Sequence, residues 1–464
     1  KPCFAHGAGA TGMAVMGVAL IFVVFFVFIW QSMETKIEDP TSTSIILKIA
    51  ASHMQIIAIA SGLPFKWPPA TQTMFRIFDA VSSVSEDVIN LECVFADESD
   101  RSDDNSVVYQ TTMLILLGPF FFVIVAAIFW ALVYCWAVRT FRLHTEKQLQ
   151  DEANAAGAND GVDGVDGAEA ANEADEADDA DDADDVDDAD DADDADDAVD
   201  VVAEEKVPLT APTWLKTREK IIVSVIVVMV LIHPTLTRKS VQLLTCDKLG
   251  KEDPNMYLRR DLQIVCWQGS HMAWALTIGL PFLILYAVGI PLVSLYVMYK
   301  RRHKLHTDEA TVSKFGFLYL GYSVHTYYWE AIVMLRKVSM VMIDVVLGPF
   351  GVGIQALVSQ LMITLMFIAT LQYHPFEAPH IGRLELYSLG TSFMTLWMGS
   401  FFWASNHAPF AMVVSILIVI INIVFVLFLI ITLVGDTCRD YEVVKTVKEV
   451  GRNTLQRVNS YMSS

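Results

Sequence analysis

Nine stretches of this chain are apolar and long enough to cross a bilayer: 13–30, 45–64, 111–137, 219–236, 271–298, 324–347, 351–372, 386–404 and 410–434. A hydrocarbon core of about 30 Å takes roughly 20 helical residues to span. Of the 464 residues 54% are hydrophobic, more apolar material than one soluble core of this size would hide. In lipid each span must satisfy its own backbone hydrogen bonds, which selects helices. The expected fold is therefore an all-α membrane protein, a polytopic bundle of about nine transmembrane helices.

Basic residues orient the bundle, because cytoplasmic loops near span ends carry the positive excess. With the N-terminus outside and the C-terminus inside, 19 of the 32 Lys and Arg face the cytosol and 10 face out, while Lys48, Arg336 and Lys337 fall within spans. The clusters Lys300–Lys304 and Arg439–Arg457 then share the inner side. This divides the chain into an extracellular end (1–12), three spans (13–137) with an outer loop (65–110), a cytosolic acidic loop (138–218), a six-helix core (219–436) with an outer Cys loop (237–270), and a cytosolic tail (437–464). Cys3, Cys93, Cys246 and Cys266 land outside, and Cys135 and Cys438 at the inner face. An even outer set suits disulfides in an oxidising compartment, and Cys246 with Cys266, in one short loop, is the preferred pair. Cys3 would pair with Cys93 or with something upstream; the alternative for all four is free thiols in an organelle membrane. Localisation is expected at the plasma membrane, with an organelle membrane as the alternative. The start at Lys1-Pro2-Cys3, without Met or a secretory leader, suggests an upstream extracellular part.

Residues 151–206 are a different material, with 26 Asp or Glu and one Lys; the remainder carries 31 basic and 28 acidic residues, so the net charge of −22 belongs to this insert. From Asp178 an Asp-Asp-Ala repeat runs to Ala198. Such a run cannot collapse, and its period of three matches neither helix nor strand burial, so disorder is expected. A tolerated low-complexity expansion fits best. Weak Ca²⁺ binding through carboxylate oxygens and a basic cytosolic partner are the functional alternatives.

Charges at bilayer depth are functional candidates by default. In the sixth span Glu330, Lys337 and Asp344 sit seven apart, close to two helical turns, which draws an acid-base-acid stripe down one face while Arg336 points about 100° away. The stripe should meet other helices or a watery cavity. It serves either as an ion path or gating network, or as a structural interhelical charge network. A further alternative lays 324–337 along the membrane surface, which would leave too few residues to span. His53, Gln55, Gln355, Gln360 and Asn422 read as interhelical hydrogen-bond glue. Pro281 and Pro291, each two residues after a glycine, should kink the fifth span as hinges or static bends. There is no P-loop, His-Glu-x-x-His, paired CxxC or Gly-x-Ser-x-Gly, so neither an enzyme nor a metal or organic cofactor site is expected. The partners expected are the lipid bilayer and a second copy of the chain in a homo-oligomer, and no nucleic acid.

The phrases "ILKIAASHMQIIAIASGLPFKWPP" (46–69), "HPTLTRKSVQLLTCDKLG" (233–250), "RRDLQIVCWQGSHMAW" (259–274), "GFLYLGYSVHTYYWEAIVMLRK" (316–337) and "HPFEAPHIGRLELYSLG" (374–390) resemble large multi-pass proteins of algae, oomycetes and other protists. Those proteins carry Cys-rich, ephrin-receptor-like repeats before the membrane region and are grouped with transient-receptor-potential-like and polycystin-like channels. The resemblance, over roughly 45–137 and 219–436, implies a Cys-rich ectodomain upstream. It also implies a transient-receptor-potential-like cation channel or channel-like sensor. The contrasting expectation is a non-conducting surface receptor or adhesion protein whose spans anchor that ectodomain. Ser405–Pro409, between the last two spans, is too short for a pore helix and filter. A stripe lining water favours the channel; one buried between packed helices favours the anchor.

Overall fold

A computed structural model describes residues 23, 25–30, 32–33, 42–82, 107–159, 214–250, 254–404 and 407–462. The chain forms two compact units. One comprises residues 1–130 with 218–464, and the other residues 131–217. The helices are α1 (Ser42–Ala60), α2 (Pro69–Ser82), α3 (Val107–Asn159), α4 (Trp214–Gln242), α5 (Gly269–Lys300), α6 (Glu309–Tyr319), α7 (Trp329–Val346), α8 (Val352–Tyr373), α9 (Pro379–Ala404) and α10 (Ala408–Met462).

Among the described residues, six helices are long and apolar enough to cross a membrane: Thr43–Ala60, Val108–Thr140, Thr217–Gln242, Gly269–Lys300, Val352–Tyr373 and Ala408–Arg439. This fits an all-α membrane protein. The span expected at 13–30 lies mostly outside the described residues. The spans expected at 324–347 and 386–404 are helical but do not join the six. α7 carries Glu330, Arg336, Lys337 and Asp344, and α9 carries Arg383 and Glu385.

Several boundaries differ from expectation. α7 begins at Trp329, after a 3₁₀ turn over Val324–Thr326, and runs unbroken to Val346, so no surface segment separates from a short remainder. Helix α3 continues to Asn159, so 138–159 is helical where disorder was expected. The Asp-Asp-Ala run, Cys3 and Cys93 lie outside the described residues. The outer loop expected at 65–110 begins with a tucked segment: Phe65, Trp67 and α2 residues Met74, Phe75 and Phe78 belong to the main core with Ile56, Ile57, Val341, Leu396 and Ile418. Their spacing 74, 75, 78 is one apolar helical face.

The prolines of α5 act differently from a simple kink. Wide π turns, Ala275–Gly279 and Ile284–Gly289, precede Pro281 and Pro291 closely, and the helix continues through both. A π turn is one way to absorb the donor and space that proline removes. In the second, Tyr286 donates its hydroxyl to the Leu116 carbonyl at 2.6 Å, three residues before Pro119 of α3.

The fold is not purely helical. Between α4 and α5 a three-stranded antiparallel sheet forms from β1 (Cys246–Asp247), β2 (Tyr257–Leu258) and β3 (Asp261–Val265), in the order β1-β2-β3. Cys246 and Cys266 are disulfide-bonded across this loop, and Cys135 and Cys438 are free and exposed.

Candidate functional site, a charged seam inside the bundle

Helix α7 packs against α1, α6, α8 and the last stretch of α5, and its charged residues are turned inward. Glu330 and Lys337 are each 3% exposed and Asp344 8%, so the whole stripe is buried, as its cost in lipid requires. Seven residues of helix rise about 10.5 Å, too far for one member to pair with the next. Each therefore takes its surroundings from other elements.

At the Trp329 end, Glu330 Oε2 accepts a 2.8 Å hydrogen bond from the Tyr322 hydroxyl and lies 3.5 Å from Lys48 Nζ of α1. Lys48 also donates to the Phe317 carbonyl at 3.0 Å and sits over the Phe317 and Tyr322 rings. Fixed acceptors and π faces thus replace the water an ammonium would hold.

Midway, the tightest contact belongs to Arg336, the residue expected to point elsewhere. Its Nη1 donates to Glu385 Oε1 of α9 at 2.6 Å and its Nη2 to Ser52 Oγ of α1 at 2.9 Å, so one guanidinium ties three helices. Arg336 and Glu385 are 1% and 3% exposed as side chains. Lys337 has no carboxylate within ion-pairing distance among the described residues. It lies in the combined field of Glu330, Glu385, Arg336 and Lys48.

At the Val346 end, Arg238 Nη2 of α4 meets Asp344 Oδ2 at 3.1 Å. Gln355 of α8 donates to the Asp344 and Ile343 carbonyls at 2.9 and 3.3 Å. Arg259, from the sheet loop, donates through Nε and Nη2 to both oxygens of Asp247 at 2.6 and 2.9 Å and through Nη1 to the Val345 carbonyl at 3.2 Å. The hydrogen bonds from Arg259 hold the Asp247 carboxyl below the usual carboxylate range, and those from Asp247 push Arg259 up.

A second polar layer lies beside the seam. His53 Nδ1 is 3.3 Å from Ser388 Oγ and 3.4 Å from Ser392 Oγ; Asn422 donates to Thr395 Oγ1 at 2.8 Å, and Gln55 donates to the carbonyls of Ser82 and Leu231, each at 2.7 Å. These are the glue contacts expected; Gln360 is only half-buried. His271 lies near the disulfide, its Nε2 3.8 Å from Cys266 Sγ. Because both sulfurs are bonded to each other, they are not offered as metal-binding thiolates. The His271 ring instead ties the loop down, taking the Trp267 N–H on Nδ1 and facing the Leu243 carbonyl with Nε2.

Sequence reasoning overlooked Glu385, Lys48 and Arg238 as members of this seam. A signal was available. Apart from Glu219 and Lys220 at the edge of the fourth, the expected spans held three cations and two acids, and a further acid, Glu385, stood one residue outside a boundary that the helix start at Pro379 overruns.

Over 191 residues, 39% of this chain, the sequence is 26% identical to Cysteine repeat modular protein A of Toxoplasma gondii. The match covers 6% of that protein, so the chain spans a small fraction of its length. No family model matches the chain. No solved structure matches it.

Proposed function

We propose that this chain is the polytopic membrane module of a larger surface protein, a non-conducting receptor or adhesion protein that anchors a Cys-rich ectodomain. The observation that carries this reading is the Arg336–Glu385 pair, 1% and 3% exposed and bridging α7 to α9 with Ser52 of α1. A charge that lines an ion path must touch water; these touch protein. The similarity to a protein whose name describes cysteine repeats supports an ectodomain of that kind. On this reading the membrane is the plasma membrane.

The transient-receptor-potential-like channel reading has less support. α9 ends at Ala404 and α10 starts at Ala408, which leaves no length for a pore helix and filter between them. Reconstitution of the purified chain into planar bilayers separates the two. The anchor reading expects no unitary currents above bare lipid at either polarity. Currents whose ion selectivity changes in Glu330→Gln or Asp344→Asn would replace it with the channel.

A further inference from the structure

Where α1, α4 and α7 all end, a cavity of about 920 Å³ opens beneath the disulfide-bonded sheet, within the size range of small-ligand sites. Of the described residues that line it, Arg238, Lys248, Arg259 and Arg260 are cationic, and Asp247 and Asp344 are anionic. The lining therefore holds two positive charges more than negative ones. Guanidinium groups present flat forks of N–H donors that match the oxygens of a phosphate two at a time. Within this donor-rich wall, Gln355 is 1% exposed and lines the cavity, and its Oε1 has no hydrogen-bond partner among the described residues. Arg238 Nε is a buried donor in the same condition. The cavity thus offers an unused donor, an unused acceptor and surplus positive charge together.

We propose that this cavity binds a phosphate-bearing ligand, supplied either by an anionic-lipid headgroup or by a soluble phosphate ester. Arg238, Lys248 and Arg260 face the phosphate oxygens while Arg259 stays on Asp247 and the Val345 carbonyl, and Gln355 Oε1 accepts from a phosphate or headgroup hydroxyl. Arg238 is also the partner of Asp344, so a bound phosphate competes for the group that holds the end of α7. Occupancy of the cavity is thereby felt inside the charged seam. Anchor and channel alike can carry such a pocket, so binding and conduction are separate readouts.

The test is thermal unfolding of the full chain in a nonionic detergent, with inorganic phosphate or with short-chain phosphatidic acid, each against chloride or phosphatidylcholine at matched ionic strength. A rise in the midpoint with inorganic phosphate supports the proposal with a soluble source. A rise with phosphatidic acid alone supports it with a lipid source. Lys248→Gln, at an exposed position that leaves the core intact, and Arg260→Gln should each weaken the response about tenfold. Lys66→Gln, outside the cavity, should leave it unchanged. No response to either probe in the wild-type chain, or an undiminished response in Lys248→Gln with Arg260→Gln, overturns it.

Discussion

At the scale of single residues, Gly62 shows how closely the seam is fitted. A Cβ there would fall 2.3 Å from Asp344 Oδ2 and 2.5 Å from Arg238 Nη2, so any side chain displaces the ion pair. Gly62→Ala should destabilise the bundle by about 1–3 kcal/mol, in the range of overpacked cores. Gly390→Ala, where nothing lies within 4 Å, should not; paired denaturation curves in one detergent check both. Arg336 and Lys337 are adjacent cations of similar burial, yet among the described residues Arg336 has a carboxylate partner and Lys337 has none. Removing one member of a buried pair leaves the other charge uncompensated, so Arg336→Ala or Glu385→Ala should each cost about 3–5 kcal/mol. The double change Arg336→Met with Glu385→Leu should recover most of that loss, and Lys337→Met should be milder than either single truncation. A double-mutant cycle that finds no coupling between Arg336 and Glu385 would refute the pairing.

At the scale of elements, the sheet loop and the proline-containing helices make separate predictions. The Asp247 carboxyl is held below its ordinary range by Arg259, so the clamp contributes fully above the unfolded carboxylate pKa and is lost as pH falls through the depressed folded value. Amide exchange in β1 to β3 should therefore be unchanged through neutral pH, after correction for intrinsic rates. It should rise only at pH below the normal carboxylate range, and Arg259→Gln, which removes the clamp, should show the faster exchange already at neutral pH. The disulfide closes the same loop, with a chain-entropy worth of about 3 kcal/mol. Cys266→Ala should loosen that loop and leave the helices folded. Between α3 and α5, Tyr286→Phe would remove the hydroxyl's bond to the Leu116 carbonyl, a loss of about 1 kcal/mol readable in the same denaturation assay. Sequence patterning located these elements unevenly. The Cys246–Cys266 pair was legible because two thiols shared one short loop, and α10 because its apolar run is uninterrupted. The sheet was not legible, since strands of two and five residues are held by tertiary hydrogen bonds such as Cys266 N–H to the Met256 carbonyl rather than by alternation. Nor were the π turns, because proline announces a missing donor without saying how the helix absorbs it.

For the whole molecule, the polytopic helical architecture follows from hydropathy, whereas the organisation of its interior does not. The seven-residue spacing of Glu330, Lys337 and Asp344 rightly put one face of α7 inside, but spacing on one helix cannot name partners on others. Lys48, Glu385 and Arg238 come from three elements distant in sequence, and Arg336, about 100° round the helix from the stripe, meets its own partners on α9 and α1. Deleting Asp178–Ala198 should leave this interior assembled, because solvated like charges supply no packing, and unchanged thermal unfolding of the deletion chain would bear that out. The central claim is that the seam is dry, with protein rather than water around its charges. Ser52→Cys, introduced beside Arg336 after Cys3, Cys93, Cys135 and Cys438 are replaced by Ala, gives the most direct measurement of it through the rate of modification by a small charged thiol reagent in folded, membrane-embedded protein. The dry seam predicts no modification until the bundle is denatured; rapid modification in the folded state would show a water-filled path and contradict it.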